Sequence, residues 1–328
     1  MGREQGSSQG GGTELFRFAR EQQVAEVGGI RVGGQPGENP ILLIGSVFHK
    51  GDHLLEQRKQ GRFDREKAKE RIAVQERLSK ETGLPCMLDI VANSGEEFKG
   101  YIDFVAEVTG LPFAIDAWKL KPRLEAARYV RELGLLDRML YNSLTVWSED
   151  LDREAGEIGE IGIRHLVLVP FDDQDLMPSG RVTGLRRLIK ALEGVPLESM
   201  LVDTSVMNVP ATGICCLANY RIKEEFGFPA GSAPANGSYM WKECREKWGK
   251  EGFGGADAAV HSIAALLWHD FLFYGPLTGA PRIFPAVAAA NAILATIRYG
   301  IGEGLPREQT HPLRKFFGDF VRQLEERK

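Results

Sequence analysis

Cysteine is scarce in this chain of 328 residues: Cys86, Cys215, Cys216 and Cys244 are all there are. None forms a CxxC pair, and the adjacent Cys215 and Cys216 cannot surround a metal tetrahedrally by themselves, so a zinc ribbon or a disulfide framework is not expected. Free thiols suit a reducing, cytoplasmic setting. Histidine is nearly as rare. Of six, His49 and His53 share an i,i+4 spacing in what reads as a solvated loop, and His165, His261, His269 and His311 are scattered, so no bound metal is expected. Also missing are a GxGxxG that leaves a strand and opens a helix, a Walker A loop and a GxSxG elbow. Charge of one sign is lacking too. The net charge is −4 with Lys and Arg dispersed, which argues against a nucleic-acid partner. The most apolar helical stretch, 283–297, falls short of the roughly 20 residues a membrane span needs, so no membrane insertion is expected. Residues 1–13 are rich in Gly, Ser and Gln without an apolar core, and read as a disordered tail rather than a signal peptide.

What is present is rhythm. "VAEVGGIRVGG", 24–34, alternates apolar and polar residues about Gly28-Gly29 and predicts a small hairpin. "ILLIGS", 41–46, is a buried strand, and Asp64 and Gly83 bracket a helix as N-cap and C-cap. Then strand and helix alternate: "CMLDIV" with helix 95–109, "FAID" with 120–133, "RMLYNS" with 150–162, "HLVLVPF" with 182–193, "MLVDTS" with 211–226. "FPAGSAP" is a weak seventh strand before a helix near 254–267. "DFLFYGP" is an eighth before 280–299, and a helix over 310–326 closes the chain. Strand ends at Asp89, Asp116, Asn142, Pro170, Asp203 and Gly231 are separated by 27, 26, 28, 33 and 28 residues, the step of a βα unit of roughly 30. Eight continuous apolar strands alternating with helices predict a (β/α)8 barrel over 14–328, with an open doubly wound sheet as the alternative.

Three of those strands stop at an acid: Asp89, Asp116 and Asp203, with Asn142 on the strand between. In a barrel the C-terminal strand ends form the active-site face, so these side chains would make one polar ring over an apolar core. An ionised Asp accepts two parallel bonds from an amino-imino edge, and an Asn both donates and accepts. Pterins and guanine carry that edge. Each residue also has a plainer reading, as a cap or turn residue.

"EVGGIRVGGQPGENPILLIGSVFHKGD", "YIDFVAEVTGLPFAID", "LYNS" and "GSAPANG" resemble the methyltransferase family that includes the MtrH component of tetrahydromethanopterin S-methyltransferase, from about Phe16 to the C-terminus. More distantly the pattern resembles corrinoid/iron–sulfur protein methyltransferases and dihydropteroate synthases, pterin-binding (β/α)8 barrels. The resemblance implies that Asp116, Asn142 and Asp203 hold the pterin, with Asp89 and Ser232 as further substrate-binding residues. It implies an Asn near the methyl-bearing nitrogen. Asn236 is the candidate, about two residues later than a gapless match puts it, and Asn208 is the competitor. The implied reaction moves a methyl group between N5 of methyltetrahydrofolate and the cobalt of a corrinoid carried by a partner protein, in a chain expected to be a homodimer. Alternatives are a tetrahydromethanopterin-dependent subunit of a larger complex, a pterin-site hydrolase or synthase, and a pterin-binding subunit without activity. Arg282 would either hold a substrate carboxylate or form a structural ion pair, and Trp118 and Phe171 would stack on a ligand or simply pack.

Overall fold

The computed structural model describes residues 14–57 and 61–326, so the expected tail at 1–13 lies outside the described residues. Eight parallel strands close into a barrel: β3 (Leu42–Val47), β6 (Cys86–Val91), β7 (Phe113–Asp116), β8 (Met139–Thr145), β9 (His165–Val169), β10 (Ser199–Asp203), β11 (Ala230–Ser232) and β12 (Phe271–Pro276), with β12 pairing back to β3. The open-sheet alternative is thereby excluded. Helices α1 (Arg65–Thr82), α2 (Gly95–Val108), α3 (Leu120–Glu132), α4 (Leu151–Ile161), α5 (Pro178–Ala191) and α6 (Ala211–Glu225) follow the first six barrel strands. The Asp64 side chain caps α1 by accepting from Lys67 N, and Gly83 ends it at φ 80°, as the sequence predicts.

Period two decides which strand residues face where. Leu42, Ile44, Met87, Ala114, Leu140, Val167, Leu201 and Phe271 point into the barrel and form one cluster. Their neighbours, among them Leu43, Leu88, Phe113, Ile115, Tyr141, Leu168 and Leu272, point outward into the layer beneath the helices. The predicted hairpin is present, β1 (Val24–Val27) paired with β2 (Ile30–Gly33), and its buried Ala25, Val27 and Val32 join the inner cluster. It closes one end of the barrel, tied by Gly28 N donating to Asp137 O at 2.9 Å and Gln23 N to Gly227 O at 2.8 Å. A further small hairpin, β4 (Leu55–Gln57) with β5 (Arg62–Phe63), decorates the first crossover.

The main departures follow β11. The helix expected near 254–267 begins far earlier: α7 (Pro234–Met240) is followed at once by α8 (Lys242–Leu266), which breaks at Gly249 with φ 65° and ψ −164°. Residues 241–250 are exposed apart from Cys244 and carry charges all round, so no apolar stripe marks them as helix. The closing helix is two, α10 (Pro312–Phe316) and α11 (Gly318–Glu325), parted at Phe317. The apolar stretch 283–297 belongs to α9 (Ala280–Gly300). With the preceding turn, Leu277–Gly300 is 24 residues long, enough by length and composition to cross a membrane, with an 18-residue window of mean hydropathy 1.4. More than half of it is buried, against α1 and α8 among others, so it serves as a core helix of the barrel.

Candidate active site

On four strands the inward position next above the apolar layer is polar: Asp89 above Met87, Asp116 above Ala114, Asn142 above Leu140, Asp203 above Leu201. All four line one cavity of about 1590 Å³ at the C-terminal end of the barrel. Strand stagger puts them on two levels rather than in the single ring the sequence suggests. Asp89 pairs in register with Ala114, whereas Asp116 pairs with Val91 and Asn142, so Asp89 sits one inward step deeper. Asn142 Nδ2 donates to Asp89 Oδ1 at a long 3.4 Å. Asp203 Oδ1 accepts from Ser205 N at 2.7 Å. The Asp116 backbone O accepts from Ala92 N at 3.1 Å, but its carboxylate accepts no hydrogen bond from any described residue and is free to receive donors from within the cavity.

Three carboxylates in one cavity raise each other's proton affinity, and burial raises it further. Burial pushes Asp89 well above the usual carboxylate range, with the charge of Asp116 adding to it and the Asn142 bond opposing. Burial pushes Asp116 up to about 6 against the pull of Arg123. Asp203 is likewise pushed up to about 6 by burial, against its Ser205 bond and Arg181. Near neutral pH Asp116 and Asp203 are therefore mainly anions, while burial and the charge of Asp116 make Asp89 hold its proton more tightly than an ordinary carboxyl.

Asn236 lies in the first turn of α7, exposed and on the cavity wall with Tyr239. Asn236-Gly237, a pair common in turns, is helix here, because α7 rests on the loop after β10. A Cβ on Gly237 would lie 2.8 Å from Asn208 C. Two expected site residues lie away from the cavity. Ser232 is fully buried with its hydroxyl on His269 Nε2 at 2.8 Å, and Asn208 Oδ1 caps α6 by accepting from Ala211 N at 2.9 Å. Neither contributes to the cavity wall, since each is held by a local structural bond. Arg282 takes the structural role: its Nε donates to buried Asp257 Oδ2 at 2.6 Å and its Nη2 to Tyr239 OH at 3.0 Å. Asp257 Oδ1 also receives Ser238 Oγ at 2.5 Å, so one carboxylate anchors α7 behind Asn236 and Tyr239. Trp118 stands 89% exposed at the rim, and Trp147 beside it meets buried Phe171 edge-on at 5.4 Å. His49 lines the cavity close to Asp52, while His53 is exposed. Among the described residues no three His, Cys, Asp or Glu side chains gather as a metal-ligand group. The four thiols are buried and free, and burial pushes Cys86 up to about 11 and Cys216 to about 12, which keeps both protonated.

A sequence profile described as "Tetrahydromethanopterin S-methyltransferase MtrH subunit" matches residues 20–304. The chain belongs to the MtrH family. It is 31% identical over 317 residues to the MtrH component of tetrahydromethanopterin S-methyltransferase from Methanopyrus kandleri, covering 89% of this chain and 97% of that one. It is 32% identical over 300 residues to the protein of the same name from Methanothermobacter thermautotrophicus, covering 88% and 96%. The corresponding component of the putative methyltransferase mtx of Methanosarcina mazei is 32% identical over 292 residues, covering 86% and 94%. Among solved structures, dihydropteroate synthase of Yersinia pestis with a sulfonamide drug complex superposes with TM-score 0.57 at 13% identity, covering 84% of this chain and 100% of that one. The Xanthomonas albilineans enzyme with 4-aminobenzoic acid gives 0.56 at 18% identity, covering 84% and 99%. At such identity the structural likeness speaks for the barrel alone.

As an MtrH-family chain, this one is a methyltransferase with a TIM-barrel frame, and the resemblance read from its opening block and from "YIDFVAE…PFAID" is correct. The relatives' names specify tetrahydromethanopterin, not the tetrahydrofolate expected above. Sequence reasoning missed the second row of residues that holds the acids. Arg181, almost wholly buried, donates to Thr204 O at 2.6 Å and Leu176 O at 2.7 Å and lies over the Phe171 ring at 5.0 Å, bracing the turn after Asp203. Arg123 and Glu154 form a buried pair behind Asp116. Both Arg123 and Arg181 fall in ordinary-looking helical sequence, and only a charge on a helix's inward face would have marked them.

Proposed function

We propose that the cavity binds a methyl-bearing tetrahydropterin and passes its N5 methyl group to the cobalt of a corrinoid presented by a partner protein. The observation that carries this is the grouping of Asp116, Asn142 and Asp203 on strands β7, β8 and β10 around one cavity, with both acids at about 6 and hence mainly ionised at neutral pH. Asp116, free of protein donors, takes the N–H and NH2 of the pterin edge. Asn142, steered by its bond to Asp89 beneath it, donates to or accepts from the neighbouring ring positions. Asp203 takes the opposite ring side.

In the forward direction N5 first takes a proton from solvent; the N5–CH3 bond then breaks as the Co–CH3 bond forms from the electron pair of Co(I), and N5 keeps its bonding pair and that proton. A tertiary amine leaves poorly unless protonated or strongly hydrogen-bonded. The amide oxygen of Asn236 is placed to accept from protonated N5 in a fixed polar wall. In the reverse direction N5 attacks the methyl group, and the chain has mainly to hold the two reactants in line. The corrinoid supplies the methyl-accepting metal as a substrate, so the chain's own part is binding, orientation and hydrogen bonding. Exposed Trp118, Trp147 and Met207 at the cavity's edge give an apolar border on which such a partner sits. Because the curated relatives are named for tetrahydromethanopterin, we take that pterin as the carrier ahead of tetrahydrofolate, and a place beside other subunits as the setting.

The test is direct. The protein is mixed with cob(I)alamin and either methyltetrahydromethanopterin or methyltetrahydrofolate, and methylcobalamin is followed by absorbance. Transfer is expected, faster with the former, and Asp116→Ala and Asp203→Ala should each weaken pterin binding by about 10- to 100-fold. No transfer from either pterin to cob(I)alamin in the presence of the folded protein overturns the activity. Unchanged pterin affinity in both variants overturns the site.

A further inference from the structure

Beside Asp116 lies a buried ion pair, Arg123 with Glu154, that also reaches the cavity wall. Arg123 projects from the first turn of α3 and Glu154 from α4, and both are almost wholly buried. Arg123 Nη1 donates to Ala117 O, the carbonyl directly after Asp116, at 2.6 Å. Its Nη2 donates to Glu154 Oε1 at 2.6 Å. The same Glu154 oxygen accepts from Tyr141 OH at 3.0 Å, and its other oxygen accepts from Ser148 Oγ at 2.8 Å. The guanidinium lies 5.1 Å from the centre of the Tyr141 ring. Tyr141 is the residue before Asn142 on β8. Thus one pair fastens the ends of two adjacent strands, those that carry Asp116 and Asn142, to the two helices that follow them. Such a pair costs desolvation and is weak evidence of a stability role, since apolar residues of similar volume would serve as well.

We propose that Arg123, locked by Glu154, is a positioning residue for Asp116: it fixes the Asp116–Ala117 strand end and lays a positive charge behind the carboxylate, so that the acid meets the pterin edge as an oriented anion. The inference rests on the pterin reading above for its purpose but on these contacts for its substance. The groups around Asp116 set the balance. Asp89 on β6 and Asp203 on β10 repel its charge, Asn142 on β8 is neutral, and Arg123 on α3 attracts it. His49, Lys50, Lys119 and Lys121 stand on the same cavity wall, with the lysines exposed to solvent and screened by it. Arg123 is thus the buried cation facing Asp116 among the described residues, and Glu154 partly neutralises it from the far side.

Two changes separate this role from a merely structural one, because they move Asp116 in opposite directions. Glu154→Gln keeps the bonds to Arg123 and Ser148 but leaves the guanidinium uncompensated. The Arg123→Gln/Glu154→Gln double variant removes the pair as a unit. Carboxyl 13C NMR of the ligand-free protein follows the titration, with Asp116 assigned by the resonance missing in Asp116→Asn. Expected is a titration near pH 6 in the parent, moved to lower pH in Glu154→Gln and to higher pH in the double variant, each by about half a unit or more. The acid limb of pterin affinity should follow. No movement, or movement of both folded variants in one direction, overturns the proposal. If the double variant does not fold, Glu154→Gln alone decides, and an unmoved titration overturns it. The NMR arm needs no ligand, so a failed transfer assay with the parent protein would strike the pterin reading and not this one.

Discussion

At the scale of single residues, the cavity trades stability for binding. The folded-state value of Asp116, about 6, stands above the 3.8 of an ordinary carboxyl, so the native state holds this proton more tightly than the unfolded chain. The sign follows from proton linkage: stability falls as pH rises between about 4 and 6, and the deficit is complete above about 6. Asp116→Asn removes the deficit. It should raise stability at pH 7 by about 1–2 kcal/mol, a figure discounted because the carboxyl is open to cavity water, and by nothing near pH 4. Urea midpoints at the two pH values check this, and an Asn variant less stable at pH 7 would contradict it. The same variant should bind pterin poorly, and in the parent, affinity should drop as pH falls through about 6 because the anion is the binding form. These acids were legible in the sequence because each follows an apolar residue at period two on a strand, and eight strands at βα spacing leave one place for their ends. Ser232 and Asn208 were not, since a short polar side chain beside a strand or helix end reads the same whether it faces a ligand or a neighbouring backbone. What holds the acids was hidden altogether: Arg123 and Arg181 look like surface helix positions until the fold turns them inward.

At the scale of elements, strand identity was the easiest part to read and helix extent the hardest. All eight barrel strands were legible, including β11, only three residues long and buried throughout. The helices after β11 were not, because tertiary contact replaces local signal there. Gly237 is a poor helix residue, yet it sits inside α7 because nothing larger fits against the Asn208–Val209 backbone. Gly237→Ala would put a Cβ within 3.0 Å of three backbone atoms there. Backbone cannot swing aside as a side chain can, so α7 must lift, carrying Asn236 and Tyr239 with it. The expected outcome is a loss of stability of about 1–3 kcal/mol. It comes with a fall in methyl-transfer rate of about tenfold or more at saturating pterin, since orientation at the reacting nitrogen is what α7 supplies. Stopped-flow transfer at saturation checks it. An unchanged rate constant in a destabilised but folded variant would remove Asn236 and Tyr239 from the reaction.

At the scale of the whole molecule, the two ends of the barrel have separate duties. One end carries the acids. Toward the other, the N-terminal hairpin, α6, β11 and the start of β12 meet at a second buried pair. Lys223 Nζ donates to Asp270 Oδ2 at 2.7 Å and to Gly34 O at 3.0 Å, and the same Asp270 oxygen accepts from Ala230 N at 2.9 Å. Lys223 is wholly buried and Asp270 nearly so. The pair joins the residue after the hairpin to β11, the strand that the sequence marked least clearly, and to the residue before β12, which explains how so short a β11 keeps its register. Breaking one half leaves the other charge buried without a partner, a cost of about 3–5 kcal/mol. Lys223→Met should therefore lower the unfolding free energy by about that much while leaving pterin affinity and transfer per folded molecule unchanged, because no group of this pair lines the cavity. Lys223→Met combined with Asp270→Asn should recover part of the loss, since the Asn oxygen can still receive Ala230 N and no charge remains. Denaturant titrations of the single and double variants, with transfer measured in parallel, check both statements. A single variant that keeps full stability but loses activity would mean that the two ends are coupled after all.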